Sequence, residues 1–142
     1  MITAITDDFK NRLCRHEGMM LKPYRCPTGR LTIGVGRNLE DTGLSKSEAL
    51  FLLDNDLRRV ELECARAFDW FDTLDDVRKR VLIEMAFNMG LSGLMTFRNM
   101  LKAIKQKDYV KASEEMLNSL WAKQVKTRAY RLAHIMETQQ EN

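Results

Sequence analysis

What this sequence lacks narrows its class first. No stretch approaches the run of about 18 apolar residues that a transmembrane helix needs, so no membrane insertion is expected. The opening segment MITAITDDFKNRLCRHEG carries two aspartates and no apolar core, which is not the pattern of a secretory signal. The chain is therefore expected to stay in the cytoplasm of the cell that makes it until something else releases it. Three cysteines, Cys14, Cys26 and Cys64, form an odd set without CxxC spacing. That is neither a disulfide framework nor a zinc site, and no metal is expected. Gly34-x-Gly36 has no third glycine for a dinucleotide loop, and DNDLRRVELE lacks the glycine of a calcium loop. There is no internal repeat, linker or low-complexity segment.

What is present suits one soluble domain with a sizeable core: 142 residues, 44% hydrophobic and 30% charged. A net charge of +3 permits an anionic partner, such as a wall polymer, nucleic acid or membrane surface, without demanding one.

Helical patterns dominate. Thr6-Asp7-Asp8 is a start signal, Ile5, Phe9 and Leu13 recur every fourth residue, and Gly18 is a natural stop. Residues 21 to 36 are the one convincing strand region. Leu31, Ile33 and Val35 alternate with Thr32, Gly34 and Gly36, while Tyr24 and Cys26 share a face of the preceding run. Pro27 biases Cys26 towards extended backbone. A loop at 40–43 precedes the capping box Ser45-Lys46-Ser47-Glu48. The helix it opens is expected to run to about Arg66, with Ala49, Leu53, Leu57, Val60 and Cys64 on one apolar stripe widened by Leu50 and Leu52. Such a helix spans about 30 Å and could connect two lobes. VLIEMAFNMG, residues 81 to 90, is apolar nearly all round and predicts a central buried helix closed by Gly90 and Gly93. Further helices are expected from near Thr96, over about Tyr109 to Leu120, and over about Thr127 to Glu137, with QQEN frayed. The fold expected is α+β, mostly helical, with a cleft between lobes.

Several residues carry competing readings. Glu17 alone could be a surface residue at a helix end, and Cys26 a small buried hydrophobe. Cys14 and Cys64 lie on helical patterns and read as structural. His16 and His134 invite a cysteine-peptidase reading with Cys26, but neither has suitable local sequence. Glu84, inside the central helix, is a rival acid, or a structural partner of Arg78, Lys79 or Arg80. Phe87 and Trp121 are core residues by default. Lys123, Lys126, Arg128 and Arg131 usually mean a solvated face.

The spacing of three chemical groups decides among these. Eight residues separate Glu17 from Cys26, and five separate Cys26 from Thr32. With Glu17-Gly18, Leu21-Lys22, Tyr24, Gly29, Thr32-Ile33-Gly34 and Gly36, this resembles the Glu, Asp-or-Cys, Thr triad of the phage-type lysozymes, glycoside hydrolase family 24. Leu74-Asp75, Val77-Arg78, Met89-Gly90, Gly93 and Phe97 resemble the family's central helix and the start of the next one. Ser119, Trp121 and Arg128-Ala129 with Arg131 resemble its C-terminal region. The likeness spans about residues 9 to 135. Three departures stand out: a shorter segment between Gly36 and Ser45, Arg37 where T-even members carry histidine, and Cys26 where they carry aspartate.

The resemblance implies a lysozyme-like two-lobed fold. Its small β-hairpin lobe would cover about 18–44 and its connecting helix about 45–66. A helical lobe over about 70–138 would be joined by the N-terminal helix. It also implies an endolysin muramidase that hydrolyses the β-1,4 bond between N-acetylmuramic acid and N-acetylglucosamine in peptidoglycan. Glu17 would be the general acid, Cys26 and Thr32 would position or activate water, and Arg128 would pair with and orient Glu17. Phe87 and Trp121 would meet the sugar rings. Glycoside cleavage needs a proton for the leaving oxygen and an attacking group at the anomeric carbon, which is what an acid facing a thiol and a hydroxyl can supply. Inversion by water is favoured; covalent attack by Cys26 is the alternative. A non-catalytic glycan-binding or structural module on the same fold is the rival from another class, and a lytic transglycosylase the rival enzyme. No cofactor is implied. The partners implied are peptidoglycan glycan strands and a separate holin-type, membrane-permeabilising protein that frees a monomeric enzyme from the host cytoplasm; no nucleic acid is implied.

Overall fold

The structure is a computed structural model that describes residues 3–141. Contacts divide the chain at Phe51/Leu52 into two compact units, and the division falls within helix α2, Lys46–Ala67.

The first unit holds helix α1 (Asp7–Glu17) and a three-stranded antiparallel sheet, β1 (Met20–Arg25), β2 (Leu31–Gly34) and β3 (Arg37–Asn38), in the order β1-β2-β3. The expected caps of α1 are both present. The Thr6 hydroxyl accepts from the Phe9 N–H at 3.2 Å, and Gly18 closes the helix at φ 78°. A threonine cap of this kind contributes about 1 kcal/mol. Helix α1 falls within this unit. None of its residues is buried, so the Ile5, Phe9, Leu13 stripe has no core beneath it here. The strand β3 lies beyond the expected strand region. It is two residues long, too short to show an alternation in sequence. Among the described residues of this unit only Thr32 is buried, at 4% exposure.

The capping box forms as expected. Glu48 N–H donates to the Ser45 hydroxyl at 3.1 Å, and Ser45 N–H donates to the Glu48 carboxylate at 2.8 Å. The apolar stripe of α2 behaves unevenly. Val60 and Cys64 are buried in the second unit's core, whereas Leu50, Leu52, Leu53 and Leu57 stay exposed.

The second unit is helical: the remainder of α2, a short 3-10 turn (Phe71–Thr73), α3 (Asp76–Met95), α4 (Arg98–Lys105), α5 (Tyr109–Leu117), α6 (Leu120–Val125) and α7 (Thr127–Thr138). Gly90 breaks α3 at φ 81°, ψ 159°, where the sequence expects the central helix to stop. The helix expected over about Tyr109 to Leu120 ends at Leu117, and α6 follows where no helix is expected. The Ser119 hydroxyl accepts from Ala122 N–H at 3.1 Å and starts α6 as a new N-cap. Lys126, at φ 47°, then separates α6 from α7. The core gathers Phe71, Leu82 and Leu94 with four fully buried methionines, Met85, Met100, Met116 and Met136. Unbranched thioethers fill the irregular gaps where several short helices meet.

Arg78 ties this unit's ends together. Its guanidinium donates to the carbonyls of Met136 (2.6 Å) and Glu137 (3.0 Å) and to Asp75 (3.1 Å), and it stacks 3.6 Å above the Tyr109 ring. A cation at the last carbonyls of α7 also complements the helix dipole. The tail expected to fray is held in part: Arg80 makes two bonds to Glu141, at 2.6 and 2.9 Å. Asn142 lies outside the described residues.

Candidate active site

The hairpin that carries Cys26 is set by its turn. Pro27 supplies the fixed φ that the second position of a tight turn favours. Gly29, at φ 84°, takes the left-handed conformation that a Cβ would oppose. Gly29 N–H donates to the Cys26 carbonyl at 2.8 Å, and Cys26 N–H donates to the Arg30 carbonyl at 3.0 Å. Glu40 buttresses the same turn, accepting from Leu31 N–H at 3.1 Å and from Arg25 at 2.6 Å. The register places Tyr24 opposite Thr32 and Arg25 opposite Leu31. Cys26, two residues beyond Tyr24, therefore shares a face with Thr32 and stands diagonal to it.

The Thr32 hydroxyl donates to the Arg30 carbonyl at 2.9 Å. With its proton directed there, the oxygen keeps its lone pairs as an acceptor. The Cys26 sulfur lies 3.0 Å from the Thr28 hydroxyl. That hydroxyl is the main cause that draws the thiol down from its ordinary 9.0 to about 7; partial burial opposes it, and contacts with the Arg30 and Thr28 backbone and with Thr32 add to it. A lone thiol would be mostly protonated near neutrality; this one is poised to ionise there. Cys64, by contrast, is fully buried, and burial raises its thiol to about 11. It is structural, as its helical pattern suggests.

Glu17 is the last residue of α1 and is exposed. Its carboxylate faces the β2–β3 turn: a Cβ built on Gly36 would lie 3.5 Å from Glu17 Oε2. Gly36 adopts φ 70°, so glycine here both makes the turn and leaves the carboxylate room. Beside this turn Arg37 grips Glu48 with two bonds, at 2.9 and 2.7 Å, and donates to the Gly43 carbonyl. Those bonds, followed by the two from Ser45, hold the Glu48 carboxyl down to about 2. The shortened Gly36–Ser45 segment is thus tied to the start of α2.

In the second unit Arg128 Nε donates to Glu84 Oε2 at 2.8 Å. The sequence suggests Arg78, Lys79 or Arg80 as the partner of Glu84, but each of these has another: Asp75, Asp72 with Asp76, and Glu141. Glu84 points away from them because α3 turns its side chain to the face that meets α7. Phe87 is 44% exposed and lines a groove of about 530 Å³ with Leu53, Leu57, Ile83 and Glu84. Trp121 is only 7% exposed, donates to Asn88 Oδ1 at 3.0 Å and meets Phe97 edge to face. Its edge borders a second cavity of about 360 Å³, shared with Asn118, Ser119 and Gln124. Thr28 is the residue that sequence reasoning passed over; the available signal was a hydroxyl inside the Cys-Pro-Thr-Gly turn.

Among the described residues no group of three or more His, Cys, Asp or Glu side chains is placed to hold a metal ion, and no helix is long and apolar enough to cross a membrane.

A family model described as phage lysozyme matches residues 14–135, which include Glu17, Cys26, Thr32 and Arg128. The chain is 30% identical to "Probable T4-type lysozyme 1" of Dictyostelium discoideum, over 97% of this chain and 96% of that protein. It is 30% identical to the pre-baseplate central spike protein Gp5 of Enterobacteria phage T4, over 94% of this chain but 29% of the spike protein. It is 27% identical to an endolysin of Acyrthosiphon pisum secondary endosymbiont phage 1, over 77% of this chain and 73% of that protein. The chain belongs to the phage lysozyme family and is a glycoside hydrolase that acts, lysozyme-like, on peptidoglycan.

Proposed function

We propose that the protein is an endolysin-type muramidase that cleaves the β-1,4 bond from N-acetylmuramic acid to N-acetylglucosamine by direct attack of water. The observation that carries this reading is one face of one hairpin with two acceptors, the Thr32 oxygen and the Cys26 sulfur, the latter ionising near neutrality. A water that donates one proton to each has its lone pair free to attack the anomeric carbon. As the carbon–oxygen bond breaks, Glu17 gives its proton to the leaving oxygen. The proton lost by the attacking water passes to the Cys26 thiolate, so charge balances at the end of the step. The general base is then a sulfur where other members use a carboxylate.

Arg128 is a supporting residue for catalysis, and the half-exposed Phe87 ring offers a face for a pyranose. The enzyme works as a monomer on glycan strands. It accumulates in the host cytoplasm and reaches the wall after a separate holin-type protein opens the membrane. Turbidity loss of chloroform-treated Gram-negative cells tests the reading. Wild type should clear them and Glu17→Gln should not; equal clearing by both, or by neither, would refute it.

A further inference from the structure

The turn that presents Cys26 contains a second side chain beside the sulfur, the Thr28 hydroxyl. We propose that Thr28 is a positioning residue for the hydrolysis, its hydroxyl donating to the Cys26 sulfur and fixing it as an acceptor for the attacking water. The inference rests on the reading of Cys26 as the group that faces that water.

Three observations carry it. Thr28 Oγ1 lies 3.0 Å from Cys26 Sγ, a short contact for sulfur. Thr32, the other hydroxyl near the sulfur, directs its proton at the Arg30 carbonyl 2.9 Å away and has the smallest influence on the thiol, which leaves Thr28 as its chief donor. The backbone that carries both residues is held by the Gly29-to-Cys26 and Cys26-to-Arg30 bonds, which limits how far the sulfur and the hydroxyl can part.

The charged groups of the hairpin do not supply an alternative. Arg25 and Arg30 flank the turn, and both are drawn to Glu40, at 2.6 and 3.5 Å, with Arg30 also reaching Asp41 at 3.7 Å. The influence on the sulfur is that of a neutral donor. Anchoring also matters geometrically. A thiolate whose side chain is free to rotate offers its lone pairs in several directions, whereas one held by a donor keeps an acceptor site for water on the Thr32 side.

The test uses the intact protein. Alkylation of Cys26 by iodoacetamide is followed against pH by peptide mapping, which separates it from Cys14 and Cys64, for wild type, Thr28→Val and Thr28→Ser. Wild type and Thr28→Ser should ionise near pH 7. Thr28→Val should move towards a free thiol, and its alkylation at pH 7 should slow about fivefold or more. In glycan hydrolysis Thr28→Val should lower kcat at pH 7 by a similar factor, leave KM unchanged, and move the acidic limb of the pH profile upward; Thr28→Ser should restore both. An unmoved alkylation profile in Thr28→Val overturns the proposal, and so does a moved one beside an unmoved kcat profile. Failure of the underlying reading shows separately, as full activity in Cys26→Ala.

Discussion

Arg128 donates to Glu84 at 2.8 Å, and both side chains are close to half exposed. An exposed pair of this kind contributes little to stability, about 0–1 kcal/mol. If its use is to aim Arg128, activity should be more sensitive than folding. Glu84→Gln is expected to change stability to urea by less than about 1 kcal/mol while lowering kcat several-fold. A matched loss in both, or in neither, would leave the pair without a part in catalysis.

Arg78 predicts the opposite pattern. It is buried, and it joins Asp75, two carbonyls of α7 and the Tyr109 ring. Arg78→Met should cost about 3 kcal/mol in urea unfolding, because it leaves a carboxylate and two carbonyls without their donor. Burial pushes the Asp75 carboxyl up, but the bonds from Arg78 outweigh it and hold it below its ordinary value. Its contribution is therefore present above the ordinary aspartate range near ~3.9 and is lost as pH falls through the lowered value. The variant should show a shallower acid loss of stability than wild type.

Glu48 offers a second pH test. Its carboxyl is held at about 2, first by Arg37 and then by Ser45. The stabilisation is complete above the unfolded glutamate value near ~4.3 and disappears as pH falls from there towards 2. Partial exposure and salt weaken it. Plotting Tm against pH between 5 and 2 should give a gentler slope for Glu48→Gln than for wild type, and a difference that shrinks in high salt. Parallel slopes would show that the pair does not couple to folding.

At Cys26 the expectation is chemical. Cys26→Asp should keep substantial activity, since a carboxylate can accept the same proton, and Cys26→Ala should lose most of it. The aspartate variant should also stay active at lower pH, because its base remains ionised well below 7. Alkylation confined to Cys26 should inactivate the wild type. Full activity after verified modification would remove the sulfur from the mechanism.

Much of this arrangement is legible in the residues, and for physical reasons. Thr6, Gly18, Ser45 with Glu48, and Gly90 are local signals: each satisfies or breaks a helix end with its own side chain or lack of one, so distance along the chain suffices. The face shared by Cys26 and Thr32 is legible similarly, because a tight hairpin sets residues six apart on a diagonal. The features that sequence misjudges depend on tertiary partners. Glu84 finds Arg128, 44 residues away, not a neighbour on its own helix. The six-residue helix α6, started by Ser119, is too short for periodicity to announce it. The two-residue strand β3 exists only because β2 pairs with it. The part played by Thr28 is hidden because a threonine in a turn is ordinary until a sulfur is seen beside it.

The most direct measurement is the product itself. Purified peptidoglycan is digested, the muropeptides are identified by mass spectrometry, and the anomeric configuration of the new chain end is read by NMR before it equilibrates. Water attack from the Cys26–Thr32 face, opposite the departing oxygen, requires a reducing N-acetylmuramic acid end formed in the α configuration. A β-configured end, or a 1,6-anhydro end, would contradict it.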